Sequence, residues 1–251
     1  MQIVLIGSGN VATVLGRLFK QAGHKILQVI SRDITHAHIL ASELGASASD
    51  FKTMPDSNTD VVIFTVSDDV LYNNSHHFIM KDKLVLHTAG AASKEILQKF
   101  STRYGVIYPL QSINKEMMPS TDIPFLIDGS TEEVTHHVAQ LAFSISNTVS
   151  HVSDEKRLAL HTAAVIVNNF TNHLYTLAES FCKNENVDFN LLKPLIMETA
   201  KKIQDHSPAQ MQTGPAIRKD IHTLDKHLRL LSSYPKIRTM YLRITDSIMN
   251  P

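Results

Sequence analysis

Gly7-Ser8-Gly9-Asn10-Val11-Ala12 is a G-x-G-x-x-A run, and the chemistry it suits is holding a pyrophosphate. Gly7 permits a tight turn, Gly9 lets backbone approach the phosphates without a Cβ in the way, and Ala12 lets a helix lie close on a strand. A helix opening near Asn10 would aim free N–H groups and a partial positive charge at the phosphate oxygens. The alternative is a purely structural glycine turn. Ser31-Arg32 ends the second apolar run, where an acidic residue would bind a ribose 2′-hydroxyl. A hydroxyl and a fixed cation there receive a 2′-phosphate instead, so the expected dinucleotide is NADP. Asp33 reads as the N-cap of the next helix. Thr65, Val66 and Ser67, at the end of a later strand, are candidates to line the ribose and pyrophosphate, and Asp68 reads as a cap.

Hydride transfer to or from C=O or C=N also needs a proton donor and polar groups that orient the substrate. Three stretches offer them. His87-Thr88-Ala89-Gly90 ends a strand, and an imidazole titrates near neutrality. In Tyr108-Pro109-Leu110-Gln111-Ser112, Gln111 is suited to bond a substrate carbonyl, ahead of Tyr108. On a long helical stretch His161, Ala164, Val165, Asn168 and Asn172 share one face, with His161 and Asn168 the candidates and Asn169 behind them. Each also has a plain structural reading: a histidine bonded to backbone, a proline-directed turn, polar groups that hold an interface.

The 14 histidines raise the question of a metal. His76-His77 and His136-His137 are adjacent pairs, which point about 100° apart on a helix, and Asn169 with His173 is one histidine short of a chelating pair. No metal is expected. Gln212-Thr213-Gly214-Pro215-Ala216 reads as a turn into a helix, with Thr213 as cap and Pro215 at its first position. Arg218 beyond it could take an anion or simply face solvent.

The elements that must position these groups follow from the apolar pattern. Short runs at 3–6, 26–30, 61–66, 84–86, 105–108 and 124–127 alternate at first with amphipathic stretches around 10–22, 33–44 and 68–79. That is the pattern of βαβ units with right-handed crossovers, and uninterrupted runs such as VVIFTV suit strands covered on both faces. From Asp154 onward the period is helical: 154–184 with Ser153 as cap, 189–205, from Pro215 to about Ser232, and from Pro235 to the end. The expected fold is α/β, a Rossmann-like mostly parallel sheet domain over 1–152 followed by an all-α domain over 153–251. The 24 basic and 24 acidic residues cancel, so there is no bulk field for nucleic acid or an anionic membrane. The lone Cys182 and the absence of an apolar stretch of roughly 18 residues fit a cytoplasmic protein. An N-terminus without a basic region does not read as a signal peptide.

The strings GSGNVA at 7–12, SR at 31–32, HTAGA at 87–91, GVIYPLQS at 105–112, LALHTAAVIVNNFTNHLY at 158–175 and QTGPAIRKD at 212–220 carry a resemblance over essentially the whole chain. The sequence resembles a bacterial family of NADP oxidoreductases that join a Rossmann-like domain to a helical C-terminal domain of uncharacterised function. That family is similar to the pyrroline-5-carboxylate reductase and 6-phosphogluconate dehydrogenase superfamily. The resemblance implies NADP, a homodimer built on the long helix, and an active site between the nicotinamide and that helix. Hydroxyacid dehydrogenases of the superfamily place a Lys and an Asn there. This chain has His161, Asn168 and Asn169 and no lysine between Lys156 and Lys183, so a lysine-dependent mechanism is not implied. The expected function is hydride transfer with a small C=O or C=N substrate, and the competing one a non-catalytic NADP(H) sensor or scaffold.

Overall fold

The computed structural model describes residues 1–73, 80–116 and 122–250. Its sheet is built from β1 (Gln2–Ile6), β2 (Lys25–Ile30), β3 (Ser47–Ser49), β4 (Val61–Phe64), β5 (Lys81–His87), β6 (Ser101–Pro109), β7 (Phe125–Gly129) and β8 (Val149–His151). The spatial order is β3-β2-β1-β4-β5-β6-β7-β8. Every pairing from β3 to β6 is parallel, β7 lies antiparallel to β6, and β8 is parallel to β7. Helices α1 (Asn10–Gln21), α2 (Ile34–Leu44), α3 (Asp68–Asn73) and α4 (Glu132–Phe143) connect the strands. The apolar runs form strands because both faces are covered. Along β1, Ile3 and Leu5 enter one apolar cluster with Leu15 and Phe19, while Val4 and Ile6 enter the other with Phe64 and Phe100. This is the two-residue period of a strand expressed on two buried faces.

Strand order reverses at β1, since β2 and β3 extend to one side and β4 to β6 to the other. That reversal is the topological switch point, and ligands of such sheets sit beyond the carboxyl ends of the strands flanking it.

The remaining helices are α5 (Asp154–Ala164), α6 (Thr171–Asn184), α7 (Lys193–Asp205), α8 (Ile221–Leu230) and α9 (Pro235–Met249). Ser153 caps α5 by accepting the Lys156 amide, and Asp33 caps α2 by accepting those of Thr35 and His36. Residues 154–184 are helical throughout, but 165–170 widen into a π-helix. The start of α8 differs from the sequence expectation. No helix starts at Pro215: α8 starts at Ile221, capped by Asp220, which accepts the Thr223 amide. The intervening stretch turns, with Gly214 at φ +105° and Lys219 at φ +53°. His76 and His77, with the end of the expected helix at 68–79, lie outside the described residues.

The chain divides into two compact units, Met1–Asn168 and Asn169–Pro251. Helix α5 therefore belongs with the sheet although the helical period begins at its first residue. Among the described residues no helix is long and apolar enough to cross a membrane.

Candidate active site

The glycine turn is built against the ends of β1, β2 and β4. Gly7 sits at φ +129°, donates its N–H to the Ile30 carbonyl at 2.7 Å, and lies so close to Thr65 that a Cβ would meet the Thr65 carbonyl oxygen at 2.7 Å. Thr65 is buried and donates its hydroxyl to the Ile6 carbonyl at 3.0 Å, so it backs the turn. Gly9 is the opposite case: a Cβ there would meet nothing within 4 Å. It is the N-cap residue of α1, with no side-chain capping bond and no acid in the first helical turn. The first amides of α1 and its positive dipole end are thus left for an anion. Asn10 is exposed beside them, Val11 half-buried and Ala12 buried.

The second strand end separates the two residues taken together from the sequence. Ser31 is buried and its hydroxyl pairs with that of Ser8 at 2.8 Å, tying the turn to β2. Arg32 is exposed. Val66 is half-buried and Ser67 exposed at the end of β4. A groove of about 850 Å³ opens beside the turn, lined among others by Ser8, Gly9, Asn10, Arg17, His36 and Lys115.

His87, the last residue of β5, is fully buried. Its Nδ1 accepts the Ala89 amide at 3.1 Å, and among the described residues its Nε2 has no partner at full hydrogen-bond geometry. Burial, reinforced by the charge of Arg157, lowers its pKa to about 3. The expectation of a group titrating near neutrality is therefore not met, because an imidazolium at this position would lack water.

His161 and Tyr108 come together. His161 Nδ1 lies 2.9 Å from the Tyr108 hydroxyl, with the rings edge to face. Both residues are half-buried, and burial raises the Tyr108 pKa. Gly90 explains the glycine of the HTAG run: a Cβ on it would lie 2.6 Å from His161 Nδ1 and 3.1 Å from Tyr108 Cζ. Only a glycine leaves both rings room against this loop. Gln111 is exposed, and its side-chain oxygen accepts the Ser112 amide at 3.0 Å. Asn168 is exposed within the π-helix, a widened geometry often found at functional sites.

A residue that sequence reasoning passed over fixes α5 in place. Arg157 is 1% exposed; its Nη2 bonds the Ala92 carbonyl, and its Nη1 lies 2.8 Å from Asp154 Oδ1 without hydrogen-bond alignment. Asp154 also accepts the Lys94 amide at 3.2 Å, and Lys94 Nζ reaches the buried Asp128 at 2.6 Å. Arg157 stands four residues before His161, on the same helix face, and that spacing was the available signal.

Along the carboxyl edge the order is thus Arg32 at β2, the glycine turn at β1, Ser67 at β4, His87 to Gly90 at β5 and Tyr108 at β6. With about 4.8 Å between strands, the turn and Tyr108 stand roughly 14 Å apart in the plane of the sheet.

Residues 2–91 match the family described as "NADP oxidoreductase coenzyme F420-dependent", and residues 123–248 match a domain of unknown function, DUF2520. No curated protein matches the chain. Among solved structures, the "putative NADP oxidoreductase BF3122" of Bacteroides fragilis is 34% identical, covers 100% of this chain and 98% of its own, and superposes with a TM-score of 0.91. The 1-pyrroline-5-carboxylate reductase of Streptococcus pyogenes is 16% identical over 100% and 99% of the two chains, with a TM-score of 0.64. A reductive aminase of Aspergillus terreus, solved with NADPH and ethyl-5-oxohexanoate, is 15% identical over 98% and 94%, with a TM-score of 0.68. The last two likenesses are of fold. The chain belongs to the family of the Bacteroides fragilis protein, in which an NADP-oxidoreductase domain of Rossmann type is followed by a DUF2520 domain.

Proposed function

We propose that this chain is an NADP(H)-dependent oxidoreductase that carries a hydride to or from the carbon of a small C=O or C=N compound. The observation that carries the reading is the sequence of groups along one sheet edge. An uncapped helix start and an exposed arginine stand at one end, and a histidine–tyrosine pair at the other. The open space over Gly9 fits a pyrophosphate held by residues Gly7, Ser8, Gly9, Asn10, Val11 and Ala12. Arg32 would meet the 2′-phosphate, with Ser31 bracing the turn behind it, and Thr65, Val66 and Ser67 would flank the ribose. When bound, NADPH supplies the hydride. The proton comes from the His161–Tyr108 pair rather than from His87, whose buried ring stays neutral. Gln111 and Asn168, both exposed, would turn toward the substrate to orient it. The lone cysteine supports a cytoplasmic setting. Exposed Leu191, Leu195, Ile203 and Ile221 in the C-terminal unit support a homodimer through that unit, since monomers seldom leave so much apolar surface bare.

Parallel fluorescence titrations with NADPH and NADH test the cofactor assignment. The expected result is tighter binding of NADPH, with the preference reduced at least about tenfold in Arg32→Ala, the loss of one charge-assisted contact. Binding of neither nucleotide would end the reading. Binding without turnover on a panel of small ketones and cyclic imines would favour a sensor.

A further inference from the structure

Resting on that oxidoreductase reading, we infer that the Tyr108 hydroxyl is the group that exchanges a proton with the substrate, and that His161 reloads it through Nδ1. Strand β6 is next to β5 and parallel to it, with His87 in register with Val106. Tyr108 therefore stands two residues, about 6.6 Å, beyond the last residue of β5. That carries its ring out over the carboxyl edge where a substrate of this fold must lie. His161 comes from α5, which follows the sheet in the chain, and its Nδ1 is already turned to the phenol oxygen at 2.9 Å. The two rings are held to this contact from both sides. Gly90 leaves no slack beneath them, and Arg157, one helical turn before His161, anchors α5 to the Ala92 carbonyl.

The chemistry needs both members. A phenol holds its proton at neutral pH and is always loaded, but alone it is too weak an acid to give the proton up efficiently. An imidazole that passes its Nδ1 proton to the same oxygen while Nε2 takes one from water removes that difficulty, because the pair ends as neutral tyrosine and neutral imidazole. In the reducing direction, hydride adds to the substrate carbon and the π electron pair moves to the oxygen or nitrogen. The Tyr108 O–H bond breaks as that atom takes its proton. The phenolate oxygen then takes the Nδ1 proton of His161, and the ring regains one from water through Nε2. One hydride from NADPH and one solvent proton are consumed.

The experiment has two readouts on the full chain. Without cofactor, NMR of imidazole-labelled protein reports the His161 tautomer. Wild type is expected to hold the Nδ1–H form, with Nδ1 donating to the Tyr108 oxygen, and both Tyr108→Phe and Gly90→Ala are expected to release it to a mixture. With NADPH and the panel of small ketones and cyclic imines, Tyr108→Phe is expected to keep NADPH affinity within about twofold and to lose about 10²-fold or more in kcat. His161→Gln is expected to lose less and to regain rate when imidazole is added. A tautomer indifferent to Tyr108→Phe overturns the pairing. Near wild-type kcat in Tyr108→Phe beside an inactive His161→Gln overturns the assignment and makes His161 the terminal donor. A wild-type protein that binds NADPH and reduces nothing in the panel removes the oxidoreductase reading, and this inference with it.

Discussion

Acid should weaken this protein through His87, and His87→Asn should remove that part of the loss. The imidazole is fully buried, and burial together with the Arg157 charge lowers its pKa from 6.5 to about 3. In the unfolded chain it returns to the ordinary value. Above pH 6.5 both states are neutral and the site adds no pH dependence. Between 6.5 and 3 the unfolded chain binds a proton that the native state refuses, so stability falls as pH falls. Below 3 both states are charged and the loss levels off. The shift from 6.5 to about 3 corresponds to roughly 4.8 kcal/mol in full, and at pH 4.5 to about 2.7 kcal/mol. That is a large share of the roughly 5–15 kcal/mol that usually holds a domain. Asparagine does not titrate here, and its side-chain oxygen can take over the Ala89 amide that Nδ1 now accepts. Its smaller volume lowers stability at every pH alike. Urea unfolding of both proteins at about pH 7 and about pH 4.5 isolates the site, since every other titrating group is common to the pair. Wild type should lose about 2.7 kcal/mol more than the variant between the two conditions. An equal loss in both would show that His87 is protonated in the native state or reached by water, and the reasoning from burial would fail.

The two glycines of the turn should separate stability from binding. Gly7→Ala, at φ +129° against Thr65, should cost about 2 kcal/mol or more in thermal or urea unfolding. Gly9→Ala, with open space for its Cβ, should leave Tm unchanged and weaken NADPH at least about tenfold by titration. Lys94→Met should cost about 2 kcal/mol in urea, because Asp128, 4% exposed, loses its contact at 2.6 Å while keeping His151 Nε2 at 3.1 Å and the Gly129 amide; adding Asp128→Asn should return part of that. Arg157→Met should lower hydrogen-exchange protection in α5 well before that of β1 and β4, since Arg157 anchors α5 to the Ala92 carbonyl.

What could be read in the sequence was what local physics decides. The runs of β1 and β4 are apolar without interruption because each strand is covered on both faces, so a run of that length could hardly be anything but a buried strand. The turn at 7–12 was legible because a pyrophosphate cradle demands particular residues at adjacent positions. The caps Asp33 and Ser153 were legible for the same reason, as each bonds amides two or three residues away. The start of α8 was misjudged where two local signals competed, Pro215 and Asp220, and the carboxylate that reaches the Thr223 amide prevailed.

Tertiary structure decided the rest. Tyr108 and His161 are 53 residues apart, and nothing local in either stretch names the other. Sheet order sets β6 beside β5, a buried arginine seats α5, and only then does the glycine at 90 acquire its reason. His87 shows the same limit from the other side. Its residue type promised a titrating group at a strand end, and complete burial made it a neutral acceptor instead. A side chain's chemistry belongs to its type, but its protonation and its partners depend on the water and charge around it, which are fixed only once distant segments pack.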